Sequence, residues 1–566
     1  MNRRPMPPLL ADLAHLMAPA QYGQQGLALL CRLLMVLLVI LLGACAELPQ
    51  DVQRPVSVAL QEAQNPQDLA LARIVDASTP SGQRTLSGFR LLPAGDQAFE
   101  ARLALAAQAS KTLDLQYYQL AHDGSGLQLL QALRQAAERG VRVRLLVDDL
   151  YAAGQDAALA GLAAQPNIDV RMFNPLPVRN AGFGSRIALS LHQFSRINRR
   201  MHNKLFVADN QVSISGGRNI ADEYFGRSEP ANFIDLDILA TGPVVAEQSA
   251  VFDRYWNSPQ AFPVQSLVPA DFDAGVAQQA FDQQVRALVP PLPRPAADAL
   301  GRSSVGEQLA AGRLDLQFAT ARLLADAPAK ADADPGKREH DDGIDGKSSD
   351  GESTVAQAHL ALLRSAQEEV MVASPYFVPG APALAALQDA IDRRVQFSVM
   401  TNSLSTTDEP LVHVGYARYR NALLKMGVKL YELMPSLTGA AEQRPSAAPE
   451  QRGSLGRLHA KLAVVDRRFL YIGSMNMDRR SALTNTECGL IIDSPALAAE
   501  VAQLLQRERQ PGSYRLRLQQ AGGQERIEWV AGAGEREVVH QAEPQMSVGQ
   551  SVRLWLTSRF VAEEML

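Results

Sequence analysis

Two stretches place a histidine and a lysine two residues apart: RMHNKLFVADNQVSISGGRN (residues 200–219) and LHAKLAVVDRRFLYIGSMN (458–476). His202 and His459, Lys204 and Lys461, Asp209 and Asp466, Gly216 and Gly473, and Asn219 and Asn476 all stand 257 positions apart. One polar set repeated at identical internal spacing marks a duplicated unit. On an extended strand, side chains at i and i+2 share a face. His and Lys therefore point one way, while Asn203, Leu205 and Val207 pack the other. Neutral imidazole is a nucleophile or base, imidazolium an acid, and lysine a cation. Asn219 and Asn476 add neutral donors. Gly216, Gly217 and Gly473, with Ser474, let backbone approach a ligand closely. Two such sets facing each other suit a phosphodiester. One imidazole attacks phosphorus, the other protonates the departing oxygen, and lysine and asparagine hold the non-bridging oxygens. The pair titrates as a coupled unit.

The motif aspartates, Asp209 and Asp466, sit at the turn between two strands and read as turn formers despite their place in the pattern. Each histidine needs a partner to fix its tautomer. Asp235 or Asp237 in NFIDLDI, and Glu487 in SALTNTE, are the candidates, because acidic residues entering a core are unusual. Arg196, Arg199 and Arg200 read either as a head-group site or as a solvated face. His192 and His413 read as structural histidines, Tyr376 as a buried aromatic near the site, and Cys488 as a core residue.

These residues must be positioned by elements that also repeat. TLDLQYYQL, VRVRLLVDD and IDVRMFN read as strands, and GLQLLQALRQAAERG between the first two as a helix ended by Gly140. NFIDLDILATG reads as one strand before the helix VVAEQSAVFDRYW. EEVMVASPYF, VQFSVMTN, VKLYELM and ECGLIID follow as strands in the second half, with helices APALAALQDAIDRR and PALAAEVAQLLQRER. Helices alternating with apolar strands predict an α/β fold of two pseudo-symmetric lobes, each a mixed sheet flanked by helices. The boundaries read as 46–84 for a loose spacer, 85–325 and 355–510 for the lobes, 326–354 for a disordered linker, and 511–566 for a tail packed on the lobes.

With 566 residues, 46% hydrophobic and 20% charged, the chain is globular and needs at least two domains. Its net charge is −5, and since residues 1–44 carry +2, the rest carries −7. That sign argues against nucleic acid as a partner. Cys31, Cys45 and Cys488 cannot form a disulfide framework or a four-thiolate metal site. The run LLMVLLVILL (33–42) followed by LGAC reads as a signal peptide ending in a lipobox at Cys45. An uncleaved membrane anchor is the alternative. Ala46 after the cysteine fits outer-membrane sorting, and either reading puts the chain at the cell envelope.

HNKLFVADNQVSISGGRN and HAKLAVVDRRFLYIGSMN resemble the paired HKD motifs of the phospholipase D superfamily. GGRNIADEYFG, FIDLDILATGPVV, SPYFVPG, TNSLSTTDEPLVHVGYARYR and MGVKLYEL further resemble the bacterial cardiolipin synthases of the C branch. The resemblance runs from about residue 85 to the end. It implies two lobes with the active site at their interface, a phosphohistidine intermediate, and neither metal nor cofactor. His202 then matches the nucleophile and His459 the general acid. Gly217 stands where the wider superfamily often has serine, although glycine is ordinary for cardiolipin synthases.

The expected activity is phosphatidyl transfer: cardiolipin made from phosphatidylglycerol and a second phospholipid, with phosphatidylglycerol or phosphatidylethanolamine as donor. Hydrolysis to phosphatidic acid is the alternative. A nuclease, and a non-catalytic lipid-binding lipoprotein, are the remaining readings. Two intact motifs argue against the last. The partners expected are phospholipids in a membrane, and a helper protein is left open.

Overall fold

The computed structural model describes residues 47–60, 69–287, 297–332, 354–435 and 455–544, apart from 180, 270, 510–511, 522, 533 and 535–536. The leader with Cys45, and residues 333–353 of the expected linker, lie outside the described residues.

The first half supplies β1 (Ser87–Leu92), β2 (Thr112–Tyr117), β3 (Arg142–Asp148), β4 (Ile168–Phe173), β5 (Leu205–Ala208), β6 (Val212–Gly216), β7 (Ala231–Ile234), β8 (Asp237–Thr241) and β9 (Ala261–Pro263). After β10 (Gln317–Ala325) come β11 (Glu369–Ala373), β12 (Gln396–Asn402), β13 (Lys429–Leu433), β14 (Leu455–Leu458), β15 (Leu462–Val465), β16 (Phe469–Gly473) and β17 (Cys488–Asp493). The last strands among the described residues are β18 (Ser513–Ala521), β19 (Gln524–Ala531) and β20 (Val538–His540).

Strand order exposes the duplication. From the centre outward the first lobe runs β1, β8, β6, β5, β2, β3, β4, β9. The second runs β10, β17, β16, β15, β11, β12, β13, β18, strand for strand equivalent. At the centre β1 pairs antiparallel with β10, Ser87 opposite Ala319, so among the described residues both halves fuse into one 18-stranded sheet. A pseudo-twofold axis therefore passes between β1 and β10.

The parallel pairs β2–β3 and β11–β12 each need a crossover, supplied by the helices Gly124–Glu138 and Gly380–Asp392. Asp123 caps the first by accepting from the Gly126 amide, and the chain leaves it through Gly140 at φ 90°. The equivalent helices Pro243–Trp256 and Pro495–Arg509 bury Phe252, Tyr255, Trp256, Leu497, Val501 and Leu505 in one apolar cluster shared by both lobes. That common core makes the lobes a single rigid frame, because separating them would expose it.

Three expectations need correction. The spacer is not loose: residues 54–60 lie along the first lobe. There the Ser57 and Ala59 amides donate to Asn257 Oδ1 (3.1 Å) and Asp253 Oδ2 (2.7 Å), and Arg171 donates to the Pro55 carbonyl (2.6 Å). Residues 326–332 are ordered rather than linker, with Lys330 Nζ 2.7 Å from Asp326 Oδ2 and both side chains buried. NFIDLDILATG is two strands, β7 and β8, broken at Asp235-Leu236, because β7 leaves the main sheet to pair with β14 of the other lobe.

Candidate functional site

Strands β5 and β15 begin one residue after the lysines, so His202–Lys204 and His459–Lys461 are extended lead-ins rather than ladder residues. Each lead-in is fixed by the opposite lobe. Met201 forms a parallel bridge to Thr486, and the His202 amide donates to the Thr486 carbonyl (2.9 Å). Across the pseudo-axis β14 runs parallel to β7, and the His459 amide donates to the Ile234 carbonyl (2.8 Å). The next residues after Thr486 and Ile234 are Glu487 and Asp235. Cross-lobe pairing therefore brings each carboxylate to the histidine of the other lobe.

His202 Nδ1 lies 2.9 Å from Glu487 Oε2, and His459 Nδ1 lies 2.6 Å from Asp235 Oδ2, with all four side chains buried. With Nδ1 engaged, Nε2 of each ring is the free nitrogen. Lys204 Nζ donates to the His202 carbonyl (2.7 Å) and Lys461 Nζ to the His459 carbonyl (2.6 Å). Tyr118 stands edge-on to His202 at 4.9 Å and carries Lys204 over its ring at 5.1 Å. Tyr224 and Phe233 hold His459 at 5.1 and 4.8 Å.

Burial dominates the electrostatics. It pushes Lys204 down to about 7 and Lys461 to about 8, although carboxylates beside each pull the other way. His202 falls well below the ordinary imidazole range through burial and the charges of Lys204, Lys461 and His459. His459 falls for the same first reason, opposed by Asp235. The two carboxylates differ. Burial pushes Glu487 up to about 8 against Lys204 and the Ser474 hydroxyl. For Asp235 the burial penalty is outweighed by His459, Lys461 and Arg218, which hold it below the usual range.

Other expected site residues fall elsewhere. Asp237 is not a histidine partner: it pairs with Arg102 at 2.8 Å and accepts from the Arg218 amide at 3.2 Å. Asp209 accepts from the amides of Ser110, Lys111 and Thr112, and Asp466 from those of Gln367, Glu368 and Glu369. Both have φ near +52° at the strand turn, so these carboxylates clamp backbone and do not face the imidazoles. The glycines approach a neighbouring strand, not a ligand. A Cβ on Gly216 would lie 2.6 Å from the Leu236 carbonyl, and one on Gly473 2.5 Å from that of Cys488. A Cβ on Gly217 would lie 2.6 Å from Asp235 Oδ2 and closer still to Oδ1. Its counterpart Ser474 donates its hydroxyl to Glu487. Thus one carboxylate is given room and the other a hydroxyl.

Asn219 donates to the Tyr224 hydroxyl (2.8 Å), whereas buried Asn476 leaves Oδ1 without a hydrogen-bond partner. Arg200 is wholly buried, its guanidinium 3.3 Å from Asp148 Oδ1 and donating to the Asn174 carbonyl. Arg199 donates to the Lys330 carbonyl (3.1 Å) and Arg196 to Asn174 Oδ1 (2.5 Å). The arginine cluster is thus an internal brace, neither of the two readings expected. His413 lies 2.7 Å from Glu543 in a buried set with Arg420, Tyr376 donates to Asp408 (2.7 Å), and Cys488 is buried. The His192 side chain and Cys45 lie outside what the structure describes.

The model for "Cardiolipin synthase, PLD-like domain" matches residues 103–256 and 360–509, the two halves that supply these pairs. The chain belongs to the phospholipase D-like cardiolipin synthase family. It is 37% identical over 476 residues to cardiolipin synthase C of Escherichia coli (strain K12), covering 83% of this chain and 94% of that one. It is 25% identical over 442 residues to cardiolipin synthase A of Pseudomonas aeruginosa (strain LESB58), with 78% and 69% covered. Among solved structures, phosphatidylserine synthase of Haemophilus influenzae Rd KW20 shares the fold, with TM-score 0.52 and 12% identity over 86% of this chain and 98% of that one.

Motif reading of this cardiolipin synthase-family chain missed Tyr118, Tyr224 and Phe233, whose rings wedge the imidazoles, and Arg480, which adds positive charge beside His202. Only Tyr117-Tyr118 at the end of a buried strand carried a signal, since a second tyrosine there leaves the strand's apolar alternation. The central strands β1 and β10 were also missed, though SGFRLL and QFATARLLA carry strand-forming residues.

Proposed function

We propose that this chain is a phosphatidyltransferase that makes cardiolipin from phosphatidylglycerol and a second phospholipid through a phosphohistidine. The carrying observation is the crossed pair of imidazoles, each held at Nδ1 by a carboxylate of the opposite lobe and flanked by a buried lysine.

His202 Nε2 attacks the donor phosphorus, and the bond to the departing alcohol breaks as that oxygen takes a proton from His459. The hydroxyl of a second lipid then gives its proton to His459 and attacks the phosphohistidine, restoring both rings. Ionised Asp235 supports the imidazolium that His459 must become, which favours this order over its mirror image. Lys204 and Lys461 recover their protons when an anionic phosphodiester arrives and hold the non-bridging oxygens. The glycine turns and Ser474 act on the carboxylates, and Asp209 and Asp466 on the frame. The site works at a membrane, reached through the apolar, lipobox-bearing N-terminus.

The deciding assay incubates the purified chain with phosphatidylglycerol vesicles, with and without phosphatidylethanolamine, and identifies products by mass. Cardiolipin that vanishes in both His202→Ala and His459→Ala supports the reading. Phosphatidic acid alone makes the chain a hydrolase, and no turnover of either lipid removes the proposal.

A further inference from the structure

A ladder of rings leads out of the site. Tyr118, edge-on to His202, meets Tyr151 at 5.3 Å, and Tyr151 stacks on Phe183 at 5.7 Å with an interplanar angle of 7°. Phe183 opens the short helix Phe183–Leu189, followed by the turn Leu191–Gln193 and the helix Phe194–Ile197. This segment hides its charge and shows its apolar side chains. Arg186 is buried against Asp149, while Phe183, Leu191 and Phe194 are 46%, 47% and 48% exposed. Leu411, on the first turn of Pro410–Ala417, is a further exposed apolar side chain, from the second lobe. Large apolar groups gathered on one exposed segment mark an interaction surface rather than ordinary scatter.

Three observations name the occupant. Residues 170–208 contain no Asp or Glu, in a chain whose net charge is −5, so no carboxylate of this segment repels an anionic surface. Residues 54–60 climb the first lobe from Asn210, at the far end of β5, to Ala261 and Phe262, which pair with the last residues of β4. The ends of β4 and β2, after Phe173 and Tyr117, are the catalytic end of the sheet, so Arg54, the N-terminal end of this strap, lies at the same end as the ring ladder. Lastly, among the described residues no helix is long and apolar enough to cross a membrane.

We propose that Phe183, Leu191 and Phe194, with Tyr151 and Leu411 beside the mouth, form the face that seats on a phospholipid bilayer, inserting apolar side chains between head groups so that a lipid enters along the Tyr151–Tyr118 ladder to His202. This rests on the phosphatidyltransferase reading for the substrate, but the docking geometry can be tested without it. It also explains why aromatic side chains, which favour the interface between head groups and hydrocarbon, line the route.

The test uses the full chain reconstituted with phosphatidylglycerol vesicles. In Phe194→Trp, the indole emission added by the new residue, taken as the difference from the wild-type chain with its three native tryptophans, is compared in vesicles of ordinary and of dibrominated phosphatidylglycerol. Quenching of half or more by the brominated lipid is expected, and an unquenched indole overturns the proposal whether or not the protein turns lipid over. Separately, Leu191→Ser/Phe194→Ser is assayed on short-chain phosphatidylglycerol below its micelle concentration and on vesicles. Turnover of the monomeric lipid should stay within twofold, with vesicle turnover at least tenfold lower. Equal rates on vesicles overturn the docking face. Wild type inactive on both substrates removes the transferase reading and leaves the quenching result to decide the docking.

Discussion

Replacing Gly217 by alanine sets a methyl group against the carboxylate that holds His459. The added Cβ would lie 2.6 Å from Asp235 Oδ2 and nearer to Oδ1, far inside van der Waals contact. Backbone on both sides is fixed, by the Gly217 amide on the Leu236 carbonyl (3.3 Å) and by Gly216 opposite Asp237, so the carboxylate is what moves. A displacement on the order of 1 Å lengthens the 2.6 Å Asp235–His459 contact past hydrogen-bonding range. A hydrogen bond to a charged group contributes about 1.5–3 kcal/mol. If that difference is felt in the transition state, where His459 is an imidazolium, turnover falls roughly 10- to 150-fold. The pH profile gives a second readout. Asp235 raises the His459 pKa against burial and Lys461, so pushing it away lowers that pKa. The limb on which activity declines as His459 loses its proton then moves to lower pH. Steady-state rates on phosphatidylglycerol vesicles from pH 5 to 9 measure both effects, and circular dichroism checks folding. A folded Gly217→Ala protein within threefold of wild type, with an unmoved limb, refutes the reasoning. Ser474→Gly is the mirror control: it removes a hydroxyl from Glu487 without crowding it, and the expected loss is below tenfold.

Asp235→Asn should cost about 100-fold at pH 7, but Glu487→Gln only about tenfold, because Glu487, pushed up to about 8, already carries a proton there. The gap between wild type and Glu487→Gln should widen above pH 8, as the native carboxylate ionises and glutamine cannot; rates of the two variants across that range are the check. Lys204 at about 7 and Lys461 at about 8 lie below the unfolded lysine value near 10.4, so the unfolded chain binds more protons between those pH values. Stability from these two groups therefore rises with pH across that window. An oxyanion such as tungstate should bind at pH 8.5 with proton uptake. Calorimetry in two buffers of different ionisation enthalpy reads the uptake, and identical heats would contradict it. Asp209→Ala leaves three backbone amides without their acceptor and should cost roughly 2–4 kcal/mol of stability, read as a drop in thermal midpoint, with kcat within threefold. A large kcat loss without destabilisation would make Asp209 part of the chemistry.

Periodicity and repetition carried much of this protein. The alternating apolar positions of β2, the apolar runs of β3, β11 and β12 and the helices between them are local features, visible because strand and helix burial leaves a periodic or continuous apolar signature. His202, Lys204, His459 and Lys461 were legible because the polar set recurs at one spacing. What the sequence left undecided was pairing across the lobes. Asp235 and Asp237 lie two apart, alike in type and setting, and only the departure of β7 to β14 of the other lobe turns one toward His459 and leaves the other to Arg102. The roles of Gly217 and Ser474 were hidden for the same reason, since each serves a carboxylate that touches the opposite lobe's histidine. Arg200 looked free to meet a head group until folding buried it against Asp148. Side-chain type and spacing along one chain determined which groups are able to act on a phosphodiester. Which carboxylate orients which imidazole was decided by tertiary structure alone, because hydrogen bonds and burial depend on distance in space, and a shared core brings segments hundreds of residues apart to within 3 Å.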